Sequence, residues 1–150
     1  MNRFDARRPF ALMLTAVVGL LALAGPARAA ERRHVSRGEA QFVSPNDFVG
    51  AGVATHLGVY DEVGSAEFSP TADPTVLRVD ARAVYTAANG DQLYAVIEGY
   101  LDGLTGAITA TVTYVGGTGR FSDAEGTGTL SAQLFPGGSI EVAVEGTIDY

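Results

Sequence analysis

The C-terminal stretch 125–149 admits few folds. Ile140, Val142, Val144, Gly146 and Ile148 alternate with Glu141, Ala143, Glu145, Thr147 and Asp149, the period of a strand with one buried face. The run before it alternates too, with Gly128, Leu130, Ala132 and Leu134 opposing Thr129, Ser131, Gln133 and Phe135. A three-residue loop, Pro136-Gly137-Gly138, pairs Leu134 with Ile140 and Ala132 with Val142. Both apolar sets then share a face, whereas a two-residue loop would mix them. The pattern therefore predicts a hairpin and its register.

The same logic extends upstream. Thr75–Ala87 and Asp91–Asp102 read as a hairpin across Ala88-Asn89-Gly90, with Gly90 left-handed. This loop sets Leu77, Val79, Ala81 and Ala83 beside Ala95, Ile97, Gly99 and Leu101. The other face carries Arg78, Asp80 and Arg82 against Tyr94, Glu98 and Tyr100, a mixture that fits a solvated surface or a polar pocket. Further strands are predicted over 41–43 with 48–54, broken at Pro45; over 56–68, bulged at Gly64; and over 107–115. No segment holds helical apolar spacing long enough to compete. Seven or eight strands, each with one apolar face, leave a closed antiparallel β-barrel of about eight strands or a two-sheet β-sandwich. Closure removes the edges that long apolar strands otherwise expose. The last strand would then pair with 125–135 and with an early strand near 48–54.

Val115–Leu130 is the glycine-rich crossing between two of these strands. Gly116, Gly117 and Gly119 allow a sharp turn, and Phe121, the one large apolar residue of the loop, is expected to plug an end of the sheet or barrel. Arg120 is placed to pair with Asp123 or Glu125. Gly116-Gly117-Thr118-Gly119-Arg120-Phe121 followed by Ala124-x-Gly126 resembles the glycine-rich segment of the allene oxide cyclase and dirigent protein superfamily, and more closely its small secreted bacterial barrel-like members. Ala54-Thr55-His56-Leu57-Gly58 and Ala88-Asn89-Gly90-Asp91 are similar to an early segment and a middle hairpin of those bacterial proteins. The resemblance spans most of 50–150, favours the barrel, and rests on glycines and turns. It implies either steering of an apolar substrate in a rigid barrel or a barrel without catalysis. No active-site residue matches position by position.

The N-terminus reads as a secretory signal. Arg3, Arg7 and Arg8 precede an apolar run from Phe10 to Ala24, and Ala27-Arg28-Ala29 is a small-x-small cleavage site. The run is short for a membrane span, so residues 1–29 are expected to be removed and no span to remain. Arg7-Arg8 fits twin-arginine as well as general export. Residues 30–39 are polar and are expected to be a flexible lead-in to a barrel domain over 40–150. The expected location is secreted or periplasmic. Cleavage removes four arginines and one aspartate, taking the net charge from −7 to −10. That charge argues against nucleic acid and anionic membranes as partners.

The 150 residues contain no cysteine and no lysine, which excludes disulfides, thiolate chemistry, Schiff bases and a phosphate-loop lysine. No catalytic signature, metal-spaced histidine pair or cofactor motif is present. Asp61-Glu62, Asp123 with Glu125, and Glu141 with Glu145 read as acidic surface. His34 falls in the lead-in. The residues expected to contact a ligand are His56, Tyr94, Glu98, Tyr100 and Arg120, with Glu98 the carboxylate to test first. Tyr60, Tyr85, Tyr94, Tyr100 and Tyr114 are ordinary strand residues with amphipathic tips, and two or three of the five are expected to line a cavity. The functional reading is an exported non-enzymatic barrel that either binds a small apolar ligand or serves simply as a stable exported module. Two alternatives stand beside it: a cyclase or isomerase of the allene oxide cyclase or dirigent kind, and a surface partner-binding protein. A homo-oligomer is left open.

Overall fold

A computed structural model describes residues 30–150; the expected signal peptide over 1–29 lies outside the described residues. Eight strands follow one another: β1 (Arg32–Phe42), β2 (Asp47–Ala54), β3 (Gly58–Pro70), β4 (Val76–Ala87), β5 (Gln92–Asp102), β6 (Ala107–Gly117), β7 (Glu125–Leu134) and β8 (Ser139–Asp149). Each pairs antiparallel with the next, and β8 returns to β1, closing the barrel. The sandwich alternative is thereby excluded. Both hairpin registers follow the alternation argument: Leu134 faces Ile140, Ala132 faces Val142, Leu77 faces Leu101 and Ala83 faces Ala95. Gly90 is left-handed, with φ 87°.

The first strand departs from expectation. Residues 32–42 are a full strand in place of a flexible lead-in, and they close the barrel by pairing along β8 from Arg32–Ile148 to Gln41–Ser139. The second partner of β8 is thus β1, not the 48–54 strand. The reason lies in the inward face of β1. His34, Ser36, Gly38 and Ala40 point inward while Arg33, Arg37, Glu39 and Gln41 point out, so the buried side is polar or small and gives no apolar period. Nor is β3 bulged at Gly64. Its pairing runs unbroken on both sides, and Gly64 is small because the Phe48 ring lies against it. The one irregular register falls between β5 and β6, at Leu93 and Ala95.

Apolar and small side chains dominate the inside, with His34, Ser36 and Glu62 buried among them, while the outside mixes charged residues with exposed valines such as Val49, Val53, Val59 and Val63. At one end, Phe121, in a single 3-10 turn over Gly119–Phe121, is fully buried and packs on the Tyr150 ring, with centroids 5.0 Å apart. Thr118 ties this turn to β5 through Thr118 N–H to Gln92 O (2.8 Å) and Gln92 N–H to Thr118 Oγ1 (2.9 Å). The expected plug is therefore real, and this is the closed end. At the opposite end, Phe42, Phe68 and Ile140 are only half-buried.

Candidate functional site

Parity places a carboxylate inside the barrel. On β3, Tyr60, Glu62, Gly64, Ala66 and Phe68 share the inward face, so Glu62 is buried with 6% of its surface exposed. The adjacent strand β2 is kept free of side chains where Glu62 and Tyr60 pair with it, at Gly50 and Gly52. A Cβ on Gly50 would lie 3.1 Å from Glu62 Oε2, and one on Gly52 would lie 2.5 Å from Tyr60 Oη. Tyr60 and Ser36 hydroxyls are hydrogen-bonded at 3.2 Å, and Tyr60 meets Tyr85 edge to face at 5.3 Å. Burial pushes the Glu62 carboxyl up to about 7, against the opposing effect of the hydrogen bond donated by Tyr85. Burial, reinforced by the nearby carboxylate, likewise raises the Tyr85 phenol; the Tyr114 phenol is raised by burial and then by Tyr60 and Glu62. A carboxyl so placed is protonated or ionised at neutral pH according to what stands beside it.

Beyond Glu62 the interior opens into a pocket of about 70 Å³. Its wall is apolar except for Glu62: alanines (Ala40, Ala66, Ala81) leave the space and Phe42, Phe48 and Phe68 frame the open end. These rings contact one another, Phe42 lying 5.9 Å from both Phe48 and Phe68. The pocket is large enough for several waters or a few ligand atoms.

The closed end holds the two histidines. His34 is 1% exposed and stacks on His56, centroids 5.7 Å apart, with Tyr114 edge-on at 5.1 Å. Burial, then the neighbouring His56, lowers its pKa to about 4. His56 Nε2 lies 2.9 Å from the Arg33 carbonyl, which can only accept, so that nitrogen carries the proton and Nδ1 takes the Tyr150 hydroxyl at 3.1 Å. Arg120 donates to the His56 carbonyl at 2.9 Å, lies over the Phe121 ring at 4.8 Å, and pairs with Asp91 at 3.7 Å. The expected pairing with Asp123 or Glu125 is replaced by Asp91 because the turn folds back over the β4–β5 loop.

Of the expected ligand contacts, the fold brings His56 and Arg120 together, but as a clasp on the closed end. Tyr94, Glu98 and Tyr100 point outward. Glu98 pairs with Arg78 at 3.3 Å, Arg78 with Asp80 at 2.6 Å, and Tyr100 is 54% exposed. The mixed face of the middle hairpin is the solvated one, and Glu98 is no interior carboxylate. Glu62 is, although Asp61-Glu62 reads as acidic surface in the sequence. The signal that finds it is parity: Glu62 is two residues from Tyr60 and four from Ala66, hence on the face that packs. Asp123 and Glu125 line a broad surface groove with Glu31 and Asp149. Among the described residues, no group of three or more His, Asp or Glu is placed to hold a metal ion. No protein-family model matches the chain, and no curated protein matches it.

Proposed function

We propose that the protein is an exported, non-enzymatic barrel that binds a small apolar ligand in its interior. The observation that carries this reading is the apolar pocket of about 70 Å³ opening between Phe42 and Phe68. Eight-stranded barrels are of a gauge that side chains either fill or leave open for one small ligand. Here the alanines of β1, β3 and β4 leave it open, though a chain selected only for stability would gain by filling it. Export rests on the signal pattern of residues 1–29, and the resemblance to secreted barrel-like proteins points the same way. Organic extraction and mass spectrometry of the protein recovered from periplasm or medium test the reading. The expectation is one small apolar molecule per chain, lost when Ala66→Phe fills the pocket. An unchanged molecule in the filled variant places the ligand elsewhere.

One observation favours the second reading, a cyclase or isomerase. Glu62 is an acid of near-neutral pKa facing an apolar pocket, the situation in which a carboxyl can deliver a proton to a bound substrate. Under this reading the extracted molecule would be a rearrangement product whose formation stops in Glu62→Gln.

A further inference from the structure

Among the described residues, the interior holds one ionisable pocket-lining group and no cation to match it. Fourteen residues line the pocket, of which Glu62 alone is charged. Among the described residues the ion pairs of the barrel join Arg78 to Asp80 and Glu98, and Arg120 to Asp91, all away from this space. His34, inside the barrel toward the closed end, is held neutral by burial. Tyr85 donates one hydrogen bond to the Glu62 carboxylate, which has capacity for more. A buried carboxylate in this setting costs stability unless something pairs with it. Retaining one beside an apolar pocket makes sense if the pairing partner arrives with the ligand.

Resting on the interior-ligand reading above, we propose that the pocket selects a slender alkyl ammonium ion, its head against Glu62 and its chain directed toward the Phe42–Phe68 mouth. Charge sorts the ligand classes. An alkyl carboxylate meets a like charge in a poorly solvated site and is rejected. A neutral alcohol gains a hydrogen bond with at most one charged partner. An ammonium gains a hydrogen bond in which both partners are charged, with the attraction of opposite charges in a poorly solvated site added to it. Three phenylalanines, Phe42, Phe48 and Phe68, line the way in, aromatic rings of the kind that attract cations, and the acidic exterior, net −7 for the whole chain, draws cations toward the molecule. Size sorts the shapes. A cavity of about 150 Å³ holds a benzene ring; this one is about half that and opens at the Phe42–Phe68 mouth, so a narrow chain can enter by its head and first carbons and leave its tail in the mouth, whereas a ring has to be enclosed whole. When the ammonium binds to the protonated carboxyl, Glu62 gives up its proton to solvent and the ligand keeps its own. The other titratable groups around Glu62 are Tyr60, Tyr85 and Tyr114, from β3, β4 and β6. Their phenols are all raised and stay neutral through this step.

Calorimetry on the full exported chain at pH 8 and 0.15 M salt, with hexylammonium, hexanol, hexanoate and cyclohexylammonium, tests the proposal. The expected order is hexylammonium at least tenfold tighter than hexanol, with hexanoate and cyclohexylammonium weaker than either. In Glu62→Gln the hexylammonium advantage should vanish while hexanol binding persists. Hexanol equal to or tighter than hexylammonium on the native chain overturns the ammonium proposal and leaves the apolar-ligand reading standing. So does hexylammonium binding that survives Glu62→Gln, since that marks attraction to the acidic surface. Binding of none of the four overturns both.

Discussion

Two buried side chains with opposed titrations, Glu62 and His34, shape how this barrel responds to pH. The Glu62 carboxyl rises from its usual 4.5 to about 7 on burial. Between those values the unfolded chain has lost the proton and the folded one keeps it. Stability from this group is therefore full below about pH 4.5 and falls by roughly 3 kcal/mol as pH rises to 7. His34 does the reverse. Its pKa drops from 6.5 to about 4, so the unfolded chain takes up a proton that the folded one refuses, and stability climbs by a similar amount from pH 4 to 6.5. The exposed carboxylates Asp73, Asp80 and Asp102 are lowered by local hydrogen bonds, from Thr75, Arg78 and the Leu104 amide respectively. They act mainly below this window. The native chain should thus show a nearly flat denaturant midpoint from pH 4.5 to 6.5. Each substitution unmasks the other slope: Glu62→Gln should become more stable with rising pH, and His34→Leu less. Chemical denaturation at four pH values between 4.5 and 8 reads this directly. A Glu62→Gln profile parallel to the native one would mean that the carboxyl does not titrate in this range.

Among the elements, β2 to β8 were legible as strands and β1 was not. β4, β5, β7 and β8 carry valine, leucine and isoleucine on alternate positions, so strand, face and register all follow from the order of residues. β1 hides because His34, Ser36 and Gly38 occupy the inward positions, and the candidate site hides with it. Glu62 needs Gly50, its partner on the adjacent β2, and Tyr60 needs Gly52 beside it and Gly38 one strand further on, a relation between strands that no local pattern carries. The glycine crossing was legible for another reason: its glycines are demanded locally. Gly119 has φ 57°, and a Cβ there would also collide with the Asp91 carboxylate. Gly58 has a similar φ of 69° and open space around it. Alanine at Gly58 should cost only the backbone term, about 1 kcal/mol. At Gly119 it should cost that plus displacement of Asp91 from Arg120, about 2 kcal/mol in all. Thermal melts of the two variants measure the difference, and equal losses would show that Asp91 moves aside freely.

At the scale of the whole molecule, closure depends on the strand that the sequence disguises best. β1 is hydrogen-bonded to β2 on one side, from Ser36–Ala54 to Phe42–Phe48, and to β8 on the other. Without it, β2 and β8 become free edges of an open seven-stranded sheet. Two liabilities would then appear together. Long unpaired edges template association with other chains. The polar interior would also lose its enclosure, since Ser36, the hydrogen-bond partner of Tyr60, goes with β1, as does His34, the stacking partner of His56. A flexible lead-in would be removable at no cost; a closing strand is not. A mature chain beginning at Ala40 should therefore fail to give a soluble monomer and should collect as aggregate. One beginning at Glu31 should fold. Two milder variants separate loss of pairing from loss of side chains. Gly38→Pro removes a backbone donor in mid-strand, and its ring crowds Ala51 O and Tyr60 Oη, which already lie within 2.8 Å of a Cβ at that position. It should cost several kcal/mol. Arg37→Ala changes only an outward side chain and should cost under about 0.5 kcal/mol. Size-exclusion chromatography and cooperative melting of the four proteins decide the matter: a soluble, cooperatively melting chain starting at Ala40 would show that seven strands suffice and that β1 only decorates the barrel.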